Sequence, residues 1–309
     1  MMDDRGHESY RGDLNNRCVT IAEVLKQSGY STYMSGKWHV TRFRGPEGPK
    51  HNWPRQRGFD RFFGTIHGAG SFYDPCSLTR DNTQIPPGSD DFYYTNAISD
   101  NAVRFVREHE SNKSFFMYVA YTAAHWPLHS PEDEIALHKG KYDEGYAAIR
   151  VKRHERLKAL GLVDENWQLS EQVARWDTVS NQRWHARNME VYAAMISRMD
   201  KGVGRLLKTL EKHELLDNTL ILFLSDNGSC PYTSNEVPDV QPGPANSFWS
   251  LRAAWANASN TPFRYFKQYG HEGGSHTPFI AYWPKVIKPN TMTDQVGHIV
   301  DIAPTFLDI

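Results

Sequence analysis

Gly29-Tyr30-Ser31-Thr32-Tyr33-Met34-Ser35-Gly36-Lys37-Trp38-His39 reads as a helix stop, a short strand and a turn that presents two basic side chains. Upstream, Thr20 stands as a hydroxyl N-cap with Glu23 three residues on. Ile21, Val24 and Leu25 share one face, so residues 20–26 are expected to be helical. Gly29 closes that helix. Residues 31–34 favour a strand, and Gly36 lets the backbone turn so that Lys37 and His39, two apart, leave on the same side. A fixed cation then stands beside a titratable imidazole. An ordinary surface connection would read the same way if it stood alone, so the question is whether the geometry recurs.

It recurs twice. Phe115-Phe116-Met117-Tyr118-Val119-Ala120-Tyr121 is a nearly continuous apolar run, as expected of a strand buried on both faces, and it ends at Thr122-Ala123-Ala124-His125-Trp126-Pro127. Thr219-Leu220-Ile221-Leu222-Phe223-Leu224 is a second such run, ending at Ser225-Asp226-Asn227-Gly228. Between these lie amphipathic helical patterns, from Tyr94 to about residue 110 and over 189–216, where Met195 and Met199 fall at core spacing. Shorter strands are expected at 62–66 and 278–283 and a helix at 300–307. Residues 42–61, 67–93 and 229–262 read as loops, and 131–185 as a polar excursion covering the sheet. The alternation argues for an α/β fold with an open, mostly parallel, doubly wound sheet and helices on both faces. In such sheets ligands sit outside the carboxyl ends of the strands, which here carry Lys37 and His39, His125, and Asp226 with Asn227.

Composition sets the bounds. With 309 residues, 39% of them hydrophobic, the chain can bury a large core. Its formal charge is −1, from 35 basic and 36 acidic residues, so no overall field recruits nucleic acid. No apolar run approaches the roughly 20 residues of a membrane span. Cys18, Cys76 and Cys230 are too scattered for a disulfide framework or a zinc site. The sequence is silent on oligomeric state.

Asp226 and Asn227 supply a carboxylate and an amide oxygen, hard ligands suited to Ca²⁺ or Mg²⁺; a plain Asx turn has the same sequence. Lys37, His39 and His125 on the same edge suit a tetrahedral oxyanion such as sulfate or phosphate.

These residues carry a resemblance. Gly29-Tyr30-Ser31-Thr32 with Gly36-Lys37-Trp38-His39 resembles the second signature of the type I sulfatases, members of the alkaline-phosphatase-like superfamily. Ala124-His125-Trp126-Pro127, Ser225-Asp226-Asn227-Gly228 and Phe263-Arg264-Tyr265-Phe266-Lys267-Gln268-Tyr269-Gly270-His271-Glu272-Gly273-Gly274 follow in the family's order. The segment around Lys267 is most similar to bacterial arylsulfatases. The resemblance implies a sulfuric ester hydrolase acting on a small-molecule or carbohydrate sulfate ester, in the periplasm or outside the cell. It implies that Lys37 and His39 bind the sulfate oxygens, that His125 hydrogen-bonds or protonates the leaving oxygen, and that Lys267 clamps the sulfate. Asp226 and Asn227 would be half of a calcium site. The family's nucleophile is a formylglycine made from Cys or Ser in Cys/Ser-x-Pro/Ala-x-Arg.

That motif and two metal-binding aspartates are expected before Lys37, and the 36 residues there hold neither, Asp3-Asp4 reading as a solvated end. Cys76-Ser77-Leu78-Thr79-Arg80 has Cys and Arg at the right spacing but Leu78 where the family has Pro or Ala, so Cys76 reads as a loop cysteine. Residues 1–309 are therefore expected to be one sulfatase-type catalytic domain truncated at both ends and inactive as given. Two other readings stay open: a non-catalytic chain that only binds sulfate, and a phosphomonoester or phosphonate hydrolase on the same fold.

Overall fold

The computed structural model describes residues 6–8, 11–110, 112–233, 237 and 239–309; Asp3-Asp4 lies outside them. Seven strands are described, β1 (Ser31–Gly36), β2 (Arg61–Thr65), β3 (Leu78–Arg80), β4 (Thr83–Gln84), β5 (Phe115–Ala120), β6 (Ile221–Leu224) and β7 (Phe279–Tyr282). The helices are α1 (Ile21–Gln27), α2 (Tyr94–Arg107), α3 (Glu132–Ala136), α4 (Gly145–Ala159), α5 (Gln182–Lys212), α6 (Arg252–Ser259), α7 (Glu272–Ser275) and α8 (Ile302–Asp308).

The five-stranded sheet has the order β4-β3-β2-β1-β5. β1 sits at its centre, parallel to both β2 and β5, and β3 and β4 are antiparallel additions. The capping box forms as expected: Thr20 Oγ1 accepts from the Glu23 amide at 3.0 Å and Glu23 Oε2 accepts from the Thr20 amide at 2.6 Å. Alternation along β1 then distributes two cores. Tyr33 packs with Ile98 and Phe105 of α2 and Val191 and Met195 of α5, and Ser35 Oγ donates to the Ile98 carbonyl at 2.7 Å. Met34 points the other way, with Ala22 of α1, Trp53, Phe59 and Phe62. Helices therefore cover both faces, as a doubly wound sheet requires. α4 and α6 bury a third cluster with Tyr146, Trp255 and Phe266, which takes up part of the 131–185 excursion.

Three expectations are corrected. Residues 67–93 are not loop alone but contain the β3–β4 hairpin, which adds two antiparallel strands beside the three parallel ones. β5 is an edge strand: it pairs only with β1 among the described residues, and Tyr118 is 48% exposed. The strand's residues pack on both faces, Phe115, Met117 and Val119 against the first core and Phe116 and Ala120 against the second, but are only partly buried. β6 and β7 pair with each other, antiparallel, and share no ladder with the five-stranded sheet. No described helix is long and apolar enough to cross a membrane.

Candidate active site

β1 delivers the first side chain. Gly36 has φ 126°, and a Cβ there would lie 2.1 Å from the Ala120 carbonyl oxygen, so only glycine lets β1 and β5 close up at this level. The next amides continue the pairing in both directions: Lys37 N donates to Ala120 O at 2.9 Å and His39 N to Ile66 O at 3.2 Å. Lys37 is thereby held at the carboxyl end of the sheet, half-buried.

The Asp226 turn is brought in from another direction. Gly228 is buried so closely against the 264–274 segment that a Cβ would sit 1.8 Å from the Gly273 carbonyl oxygen. Gly228 N donates to Gly274 O, and Lys267 N to Ser229 O, each at 3.1 Å. Lys267 and the Asp226-Asn227 turn therefore travel as a unit.

Electrostatics ties these segments together. The Lys37 pKa is lowered by burial, then by the Lys267 ammonium, with Asp226 and Cys230 opposing. His125 is pushed down to about 4, first by burial, with Lys37 and Lys267 adding to the drop and the Trp126 carbonyl and Asp226 opposing it. His125 Nδ1 lies 2.9 Å from the Trp126 carbonyl, so the neutral ring donates from Nδ1 and leaves Nε2 free to accept. Neither Lys37 nor Lys267 forms an ion pair with a described residue. Lys37, His125, Asp226 and Lys267 thus share one neighbourhood although they are up to 230 residues apart in sequence. Two nearby ammoniums, neither in an ion pair and with Asp226 the carboxylate acting on Lys37, favour an anion between them.

His39 stands beside this group. Its backbone is left-handed, φ 58°, and its ring stacks on His67 with centroids 6.4 Å apart, against Gly68. Burial, with the Lys37 charge second, pushes its pKa down to about 3, so it is neutral at pH 7. Its Nε2 is buried without a hydrogen-bond partner among the described residues, as are Trp126 Nε1 and Thr122 Oγ1. The last two border a narrow cleft lined also by His67, Cys76 and His125.

Calcium fits these residues in kind but not in number. Asp226 makes no hydrogen bond or ion pair with a described residue, and Asn227 spends its Nδ2 on the Gly228 carbonyl at 3.0 Å, leaving Oδ1 available. Two oxygen donors fall short of the six to eight that Ca²⁺ takes. Among the described residues no group of three or more His, Cys, Asp or Glu is placed to hold a metal.

The reading from sequence missed two residues at this rim. His67 follows β2 just as Lys37 follows β1, so the same strand-end rule applied to it. Cys230 lies three residues beyond Asn227 and next to Lys267; nothing in its local sequence marked it.

The sulfatase family model matches residues 1–309. The chain belongs to the sulfatase family. An arylsulfatase of Klebsiella aerogenes is 33% identical over 333 residues, covering 98% of this sulfatase chain and 70% of the relative. An uncharacterized sulfatase of Schizosaccharomyces pombe is 32% identical over 339 residues, covering 98% and 60%. The chain thus spans less than two thirds of that relative's length. Among solved structures, Ps i-CgsB in complex with a neocarrahexaose superposes with TM-score 0.63 at 23% identity, over 93% of this chain and 52% of the other. That likeness speaks to the fold alone.

Proposed function

We propose that the protein hydrolyses sulfate monoesters in the manner of an arylsulfatase, with the sulfate group held between Lys37 and Lys267. The observation that carries this reading is the pair of ammoniums brought together with no carboxylate ion pair to neutralise either. Membership of the sulfatase family supplies the choice of sulfate, and the relatives extend from an arylsulfatase to an N-acetylglucosamine-6-O-sulfatase, so an aryl or carbohydrate ester is the substrate class.

Each residue then has a task. Lys37 and Lys267 neutralise the sulfuryl oxygens and orient the ester. His125 is neutral in the free site; the anionic ester raises its pKa, and the ring, fixed through Nδ1, holds its proton at Nε2 toward the leaving oxygen. His39 buttresses Lys37 without adding a second positive charge. Asp226 and Asn227 would supply two oxygen ligands to a hard cation, which would add positive charge beside the sulfuryl oxygens. No described residue is assigned as nucleophile, and Cys76 is read as an unmodified thiol that takes no part in turnover of nitrophenyl sulfate. Turnover lost in Cys76→Ala would overturn that last point.

Calorimetric titration with sulfate tests the pocket. Binding by the full chain that is lost in both Lys37→Met and Lys267→Met supports the reading. Undiminished binding in both variants refutes it.

A further inference from the structure

A groove of about 400 Å³ lies between residues 167–170 and 262–272 and shares no lining residue with the cleft beside His125. That volume is in the range of small-molecule sites. Its walls are tied together from beneath. Ser170 N donates to the Pro262 carbonyl at 3.2 Å and Ser170 Oγ to the Phe263 carbonyl at 2.9 Å. The buried Arg150 of α4 donates in turn to the Ser170 carbonyl at 2.5 Å and to its hydroxyl at 2.9 Å. Further along, Gly273 N donates to the Arg264 carbonyl at 3.0 Å, which closes the loop that also carries Lys267. The groove is therefore preformed, and it shares a loop with the anion site.

Its lining selects a ligand by chemistry. Trp167 is 43% exposed, and its ring meets Phe263 edge to face with centroids 5.8 Å apart. Phe263 stacks on His276 at 4.5 Å, and His276 Nδ1 lies 2.6 Å from Glu272 Oε2. Gln168, Arg264, His271 and Glu272 stand around these rings. Gln168 spends its Nε2 on the Asn166 carbonyl, and Glu272 spends Oε2 on His276. Gln168 Oε1, Glu272 Oε1 and the ring nitrogens of His271 make no hydrogen bond with a described residue. One guanidinium and one carboxylate offset each other, so an anion finds no excess of positive charge there. A purely apolar ligand would displace water from four polar side chains without replacing its hydrogen bonds. A ring of C–H groups that carries hydroxyls meets both demands.

We propose that this groove binds a neutral, unsulfated pyranose, its C–H face on Trp167 and its hydroxyls donating to Glu272 and Gln168 and accepting from Arg264. The site goes beyond the sulfate reading and does not depend on it.

Saturation-transfer difference NMR on the full chain tests it, with methyl glucopyranoside, methyl galactopyranoside and methyl mannopyranoside as probes in millimolar titrations. At least one is expected to take up saturation, most strongly at the ring C–H protons of one face. Trp167→Ala should weaken that binding about tenfold, as the loss of roughly 60 Å² of apolar contact implies. Trp167→Phe should restore most of it, and Glu272→Ala should weaken it several-fold, either alanine variant sufficing if the other does not fold. Excess sulfate should leave glycoside binding unchanged; competition would place the glycoside at the lysines and overturn the assignment. No saturation transfer to any of the three glycosides would also overturn it, as would full-strength transfer in both alanine variants. Glycoside binding without sulfate binding by calorimetry leaves this site standing and removes the proposed function. Sulfate binding without a glycoside signal does the reverse.

Discussion

Replacing Lys37 by methionine separates what this residue costs the fold from what it contributes to binding. The ammonium is half-buried without an ion pair, and its pKa is depressed by burial first and by Lys267 second. Methionine keeps the aliphatic volume and removes the charge, so the ligand-free protein should gain up to about 1 kcal/mol. Bound sulfate would lose one charge-assisted contact worth about 2–3 kcal/mol, which weakens affinity roughly 30- to 150-fold. At a sulfate concentration of about 100 Kd, the unsubstituted protein is stabilised by about 2.7 kcal/mol. With Kd a hundredfold weaker, the same sulfate gives about 0.4 kcal/mol. Urea unfolding over a sulfate series, at ionic strength held constant with chloride, reads both effects. A pH series adds a sign test. Because the folded pKa lies below the unfolded value of 10.5, the unfolded chain binds more protons just beneath that value. Stability should therefore rise with pH in that interval, and the variant should lose that rise. An equal sulfate response in the two proteins would refute the anion-site argument, and a less stable ligand-free variant would refute the buried-charge argument.

The histidines set the acid limb. His125 at about 4 and His39 at about 3 are both below the unfolded value of 6.5, so stability is lost as pH falls from 6.5 through these folded values. His125→Gln should flatten the part between 6.5 and about 4, seen in unfolding midpoints at each pH. Gly36→Ala must push a methyl into the Ala120 carbonyl at a positive φ, and a loss of about 3 kcal/mol or more is expected in denaturant unfolding. Calcium should bind weakly, with Asp226→Asn weakening it further; a submicromolar Kd by calorimetry would contradict the two-donor count.

Local chemistry made part of this architecture readable in advance. The Thr20–Glu23 capping box, the helix end at Gly29 and the strand over residues 31–34 each have a near-neighbour cause, and each forms as expected. The β3–β4 hairpin escaped notice because its strands are three and two residues long and its turn is Asp81-Asn82, with Asp81 at φ 54°, set among polar residues that look like loop. β5 misled because an apolar run reports a preference for burial but not which strand lies on either side. At the rim, strand ends pointed to Lys37, His125 and Asp226. Lys267 came only through the resemblance, since its placement depends on pairing between Ser229 and a segment nearly forty residues away. Cys230 depends on that same long-range pairing, and no local pattern encodes it.

The free side of β5 has a consequence for handling the protein. With no strand paired to it on that side among the described residues, and with Tyr118 48% exposed, the outer edge of β5 is an adhesive seam for any extended peptide, including a second molecule of the same kind. Concentrated solutions of this polypeptide would then be limited by molecules zipping together along that seam, and a proline that blocks the outer hydrogen bonds of β5 would keep them apart without touching the lysines that grip the anion.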